Sequence, residues 1–272
     1  MFRTRLLSGI VLMLITLTVV ILGGNYLFIT LFVISLIGMM ELYRIVNINK
    51  SFPGVLGYAA GIIFYLLVYF RLEQYHMLLF VSFLLLLMFS YVFSFPKYKT
   101  DQIAIAFMGL FYVSIMLSYI YQVRMLKDGA ILVWLIFIGA WGSDTCAYCV
   151  GILIGKHKMA PKLSPKKSVE GGIGGIVGAA ILGFLYACVF QNKMQATFHP
   201  QLVFTMIGAM SSIISQVGDL AASAIKRNHD IKDYGRLIPG HGGILDRFDS
   251  IIFTAPIVYF LARFAETQPF FR

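Results

Sequence analysis

Apolar residues run through this chain in long blocks rather than in alternation. The first block, Leu6 to Leu22, follows Arg3 and Arg5 and precedes Gly23-Gly24-Asn25. Further blocks occupy about 26–43, 54–70, 76–95, 102–121, 129–155, 171–190, 201–225 and 244–264. Each approaches the ~20 residues that a helix needs to cross a hydrocarbon core. The pattern therefore predicts an all-α polytopic integral membrane protein with about nine transmembrane helices. The first block is long, has no small-x-small cleavage site after it and turns directly into the second. It is expected as a retained helix rather than a cleaved signal.

Composition agrees with this reading. The 272 residues are 59% hydrophobic and 12% charged, and the mean hydropathy is +0.84. The formal charge of +10 does not point to nucleic acid, because the cations sit in short loops between apolar blocks. There they set topology or meet phosphate. Of the 22 Lys and Arg residues, fifteen fall on one face if the N-terminus is cytoplasmic: Arg3, Arg5, Arg44, Lys50, Lys97, Lys99, Lys156, Lys158, Lys162, Lys166, Lys167, Lys226, Arg227, Lys232 and Arg236. Six fall on the other, Arg71, Arg124, Lys127, Lys193, Arg263 and Arg272, with Arg247 inside the ninth block. That bias predicts a cytoplasmic N-terminus, and it places 156–170 and 226–243 on the cytoplasmic face. Three cysteines give no disulfide framework, and Cys146 and Cys149, inside an apolar block, are expected as buried thiols rather than metal ligands.

Candidate chemistry is uneven along the chain. Residues 1–128 are expected to be a helical scaffold and 129–272 the region that carries the reaction. In the first part, Glu41 is the one acid inside the early spans and is expected to snorkel to the interface. Gly57 and Gly61 have the small-xxx-small spacing of packed helices. In the second part, Asp144 lies mid-block, where a carboxylate costs about 2.5–3.5 kcal/mol on insertion scales. It should face a polar cavity or a cation, or else pin two helices by a hydrogen bond.

Next, Ser164-Pro165-Lys166-Lys167-Ser168 reads as a tight basic turn, and Glu170-Gly171-Gly172 opens the seventh helix. A helix start offers free N–H groups and a positive dipole end to anions, and neighbouring lysines add charge for phosphate. The Gly171/Gly175 and Gly174/Gly178 pairs again suggest close helix packing. Ser215, Asp219, Ser223 and Lys226 share one face of the eighth helix by their spacing. Asp246 and Asp249, three apart, share a face of the ninth. With Asp219 these form an oxygen-ligand set suited to Mg²⁺. Arg247 would compensate charge or clamp a phosphate. An internal ion-pair network is the competing reading, and three intramembrane acids with glycine-rich access argue against it.

The whole stretch Ser223-x-Ile225-Lys226-Arg227, Lys232-Asp233-x-Gly235, Ile238-Pro239-x-His241-Gly242-Gly243-Ile244-x-Asp246-Arg247-Phe248-Asp249 resembles, without departure, the signature of the phosphatidate cytidylyltransferases, or CDP-diacylglycerol synthases. Asp144-x-x-Ala147-Tyr148 and Ser164-Pro165-Lys166-Lys167-Ser168-x-Glu170-Gly171 resemble the same family. The likeness covers about 129–260. It implies that CTP and phosphatidate give CDP-diacylglycerol and pyrophosphate with Mg²⁺, at a site facing the cytoplasm in a bacterial-type inner membrane. Under it, Asp219, Asp246 and Asp249 would hold Mg²⁺, alone or with a second cation. Lys226, Arg227, Lys232, Lys166 and Lys167 would bind phosphates, Asp233 would belong to the catalytic set, and Ser164, Glu170 and Ser223 would bind substrate. Gly242 and Gly243 would let backbone amides reach the nucleotide, His241 would donate to the leaving pyrophosphate or serve as a turn residue, and Asp144 would orient a lysine or complete the ion shell. The resemblance also implies a homodimer, for which these residues carry no signal. A CTP-dependent lipid kinase of the dolichol-kinase type is the nearest alternative. A transporter is less well supported, because the polar sites are confined to one half.

Overall fold

Long apolar blocks become long helices here because a helix satisfies its own backbone where no water is present to do so. The computed structural model describes residues 2–195 and 198–268, with the backbone alone at 2–5. Arg272, and the side chains of Arg3 and Arg5, thus lie outside the described residues. Nine long helices appear among those described: α1 (Phe2–Leu22), α2 (Gly24–Ile45), α3 (Phe52–Tyr69), α4 (His76–Phe93), α5 (Thr100–Arg124), α6 (Gly129–Ile154), α7 (Val169–Phe190), α8 (Pro200–Asn228) and α9 (Leu245–Thr267). They follow the predicted blocks to within a few residues. Eight of them, α2 to α9, are long and apolar enough to cross a membrane, while the apolar part of α1 is Leu6–Leu22. The chain is therefore a multi-pass, all-α membrane protein. Proline opens α3 and α8 in their first turns, where its missing N–H costs nothing. α5 and α6 each contain a π-helical turn, at Gly109–Ile115 and Ile138–Gly142.

The chain forms two compact units. One comprises the residues up to Ser118 together with Asp233–Arg247; the other comprises Tyr119–Lys232 and the chain from Phe248 onward. This division differs from the expected halves. The stretch from Asp233 to Arg247, with its share of the signature, belongs to the same unit as α1 to α4. In that unit, Gly57 and Gly109 lie against the ring of Tyr43, where a Cβ on either would overlap it. The Tyr43 hydroxyl donates to the Ala106 carbonyl at 2.8 Å. Gly61 lies against Met39 and Ser114, so the Gly57/Gly61 spacing does pack α3 on α2. Ser35 and Ser114 share a buried hydrogen bond of 2.7 Å.

In the second unit, the glycine-rich face of α7 packs on α6. Gly171 and Gly175 face Ala147, Gly174 faces Val150 and Gly178 faces Cys146. On the α8 side, Gly183 approaches the Phe204 carbonyl and Gly208 the Ala179 carbonyl. Ser143 and Ser212 join α6 to α8 at 2.6 Å, and Gln216 Nε2 donates to the Gly172 carbonyl at 3.0 Å. The cysteines are free, but Cys149 and Cys188 are exposed. That corrects the expectation of a buried pair at Cys146 and Cys149.

A second correction concerns the basic segment before α7. It is not a turn but a strand, β2 (Ser164–Ser168), paired antiparallel with β1 (Lys158–Ala160) in the register Lys158 to Ser168 and Ala160 to Ser164. A two-stranded sheet leaves each strand an unpaired edge, which is where a Pro such as Pro165 is tolerated.

Candidate active site

The strand decides what the two adjacent lysines do. Successive side chains of a strand point to opposite faces. Lys166 is exposed, whereas Lys167 turns inward and forms an ion pair with Asp219 on α8. The Lys167 ammonium is buried and makes no hydrogen bond beyond that pair. An ammonium has three donors, so donor capacity is left over for a further acceptor. Asp144 on α6 belongs to the same charged group, attracted by Lys167 and repelled by Asp219, and its side chain is accessible. Ser215, one turn before Asp219, is fully buried with its hydroxyl unpartnered. The second unit thus holds two carboxylates, one lysine with open donors and a free hydroxyl.

Other candidates in this unit have different surroundings. Glu170, expected at phosphate, locks the base of the hairpin. Its carboxylate accepts the N–H groups of Lys156 (3.0 Å) and His157 (3.2 Å) and pairs with His157 Nδ1 at 2.6 Å. The start of α7 is capped by Ser168, whose hydroxyl accepts the Gly171 N–H at 3.2 Å. Ser164 is half-buried at the start of β2. Ser223 is half-buried one turn beyond Asp219 on α8. Lys226 and Arg227 occupy the last turn of α8, where cations complement the helix dipole. Arg227 also donates to the Ile231 carbonyl at 3.3 Å. Lys232 is exposed, and Asp249 accepts the Ser250 N–H at 2.8 Å.

In the first unit, the loop from Asp233 to Ile244 is closed on itself. Ile238 N–H donates to the Gly242 carbonyl and His241 N–H to the Ile238 carbonyl, both at 2.9 Å. Gly240 and Gly242 have φ of 78° and 85°, a region that glycine enters without steric cost. Asp246, expected at a metal, is buried, and its Oδ2 accepts the N–H groups of Tyr234 (2.8 Å) and Gly243 (2.9 Å). The Gly243 amide, expected to reach the nucleotide, is therefore engaged inside the loop. His241 Nδ1 is hydrogen-bonded to the Ser8 hydroxyl on α1 at 2.8 Å, and that hydroxyl also lies 3.0 Å from the Pro239 carbonyl. Asp233 and Arg247 are exposed.

Sequence reasoning missed Glu41. Instead of snorkelling it is 1% exposed, and its two oxygens accept the N–H groups of Ile244 (3.0 Å) and Leu245 (2.9 Å) at the start of α9. A carboxylate suits this end of a helix, where N–H groups lack intrahelical partners. The available signal was its isolation: no other acid lies inside the early spans. Gln216, Ser8 and His157 were also passed over, as ordinary polar residues in apolar or basic stretches.

No group of three His, Cys, Asp or Glu side chains among the described residues is arranged to hold a metal ion by itself. Magnesium does not require such a cage. It usually keeps several waters and takes one or two carboxylates plus substrate phosphates, and Asp144 and Asp219 fit that mode.

Comparison with known proteins adds the lineage. The model of the "Cytidylyltransferase family" matches residues 3–265. The phosphatidate cytidylyltransferase of Bacillus subtilis (strain 168) is 32% identical over 265 residues, covering 95% of this chain and 97% of that protein. Enzymes of the same name from Staphylococcus haemolyticus (strain JCSC1435) and Staphylococcus aureus (strain COL) are 36% and 34% identical, each over 95% of this chain and 98% of theirs. Matched over nearly its whole length, with the polar signature on α8, α9 and the loop that joins them, the chain belongs to the cytidylyltransferase family.

Proposed function

We propose that this protein transfers the cytidylyl group of CTP to phosphatidate, forming CDP-diacylglycerol and pyrophosphate. The structural observation that supports the reading best is the buried Lys167 ammonium, held by Asp219 beside Asp144 with donors still free. Both substrates are polyanions, one soluble and one lipid, so cationic donors set among membrane-spanning helices suit them.

The phosphatidate phosphate is a monoester with a second pKa of about 6, so an oxygen is already ionised near neutral pH. That oxygen attacks the α-phosphorus of CTP, the bond to the β-phosphate's bridging oxygen breaks, and pyrophosphate departs with the electron pair. No general base is required. What the protein must supply is alignment and charge compensation on the phosphate oxygens. Lys167 donates to a phosphate oxygen, and Asp219 keeps its ammonium at that position. Asp144 and Asp219 are the residues that would hold Mg²⁺, which when bound neutralises charge on the phosphates. The exposed Lys166 and Lys232 and the basic end of α8 are placed to draw anions toward the membrane surface.

The test uses purified protein with Mg²⁺, phosphatidate and CTP labelled at either end of the triphosphate. Label at the α position should appear in the lipid. Label at the γ position should appear only in pyrophosphate. Entry of the γ label into lipid would make the protein a lipid kinase and overturn the assignment.

Loop charge supports a cytoplasmic N-terminus, with the hairpin and the end of α8 on the cytoplasmic side of a cell membrane. Lys162, at the hairpin tip, and Asn228, at the end of α8, are both exposed. Single cysteines at these positions, in a background without Cys146, Cys149 and Cys188, should react with an impermeant reagent from the cytoplasmic side alone. Reaction from opposite faces would overturn this topology.

A further inference from the structure

Two buried carboxylates organise the glycine loop, and only one of them comes from the loop's own end of the chain. Asp246 holds the N–H groups of Tyr234 and Gly243. Glu41, 203 residues before Ile244, holds those of Ile244 and Leu245. Three consecutive donors across the junction of loop and helix are thus accounted for at Gly243, Ile244 and Leu245, and the Arg247 N–H donates to the Ile244 carbonyl at 2.9 Å. Gly235 and Gly243 both lie against the Glu41 carboxylate, and a Cβ on either would overlap its oxygens. Two glycines of the signature therefore make room for a side chain from α2. Behind that carboxylate, Gly38 on the same helix lies against Leu245 and Val113, so α2 meets the start of α9 along a closely packed edge.

We infer that Glu41 is a positioning residue of the reaction: it fixes the glycine loop and the first turn of α9, and through them the presentation of Asp233 and His241. The inference rests on the transferase reading above. A carboxylate is needed because both of its oxygens accept and neither donates. In Glu41→Gln one oxygen becomes an NH₂ group that faces a backbone N–H, so one bond is lost and a donor meets a donor. Gly235→Ala perturbs the same contact from the opposite side, pressing a methyl group onto the carboxylate without removing it.

The experiment measures kcat of the purified protein at saturating CTP and phosphatidate, together with its melting temperature, for five forms. These are wild type, Glu41→Gln, Gly235→Ala, the double variant and Tyr43→Phe. Glu41→Gln and Gly235→Ala should each lower kcat by about tenfold or more, and the double variant should be no slower than the slower single by more than about twofold, because both break one contact. Tyr43→Phe removes a buried hydrogen bond from the same unit. It should lower the melting temperature while leaving kcat within about twofold of wild type. Multiplicative losses in the double variant, or kcat near wild type in Glu41→Gln, would overturn the inference. A kcat loss in Tyr43→Phe matching its loss of stability would also overturn it, since a general weakening of the unit would then suffice. If Glu41→Gln does not accumulate, Gly235→Ala against Tyr43→Phe decides the matter in the same way. Failure of the transferase reading is separately visible, as a wild type that forms no CDP-diacylglycerol.

Discussion

Asp219→Asn is expected to lower turnover by at least about 100-fold, equivalent to ~2.7 kcal/mol in the barrier, while the protein still inserts and purifies. Asparagine keeps the volume and removes the charge. Two consequences follow from the geometry. The Lys167 ammonium loses its ion-pair partner, at a site where the two side chains are only 25% and 29% exposed; removing one member of a shielded pair leaves the other under-compensated, with only Asp144 nearby to attract it. Asp144 is then the one remaining carboxylate for a cation, so the Mg²⁺ concentration for half-maximal activity should rise. Lys167→Gln removes the other half of the same unit and should cost a similar factor. The double variant should be little worse than the worse single, because residues that act together are not additive. Formation of labelled lipid from α-labelled CTP, at a series of Mg²⁺ concentrations, is the measurement. An Asp219→Asn enzyme near the wild-type rate would remove both assigned roles.

Asp246→Asn should also depress activity strongly, but by a route that a second measurement can separate from metal binding. In the structure its Oδ2 accepts two backbone N–H groups that span the loop. Hydrogen bonds to a charged acceptor contribute about 1.5–3 kcal/mol each, and the neutral amide weakens both. Hydrogen exchange in peptides covering 233–244 should therefore accelerate by about tenfold or more, as local opening becomes less costly. Activity should fall in parallel. Lost activity with unchanged exchange would mean that Asp246 acts on a bound ion or phosphate and not as the clamp of the loop.

The membrane class and the number of helices were legible because they depend on quantities that add up along the chain. A bilayer asks for about 20 apolar residues at a time, and eight of the nine blocks become helices that meet that demand, each without reference to any other. The small-residue spacings at Gly57/Gly61 and Gly171/Gly175 were legible for a related reason: a missing side chain tells at once that something must approach closely. Asp144 and Asp219 were legible as costly exceptions in apolar surroundings, and the structure places both in one charged group with Lys167.

What the tertiary structure decided is which partner each polar residue meets. Lys166 and Lys167 are equivalent in composition, yet a strand's alternation sends one outward and the other to Asp219. Glu170 looked like part of a phosphate site and instead closes a hairpin through backbone N–H groups. Gly243 looked like room for a nucleotide and is occupied by Glu41 from α2. In each case the deciding bond joins a side chain to a backbone group or to a residue far away in the chain. Every residue but proline offers the same N–H, so such bonds leave no mark in residue type or spacing. Sequence alone determined that carboxylates, lysines and glycines interrupt and flank the long apolar helices; only the folded chain decided which carboxylates meet a lysine and which hold the protein's own backbone.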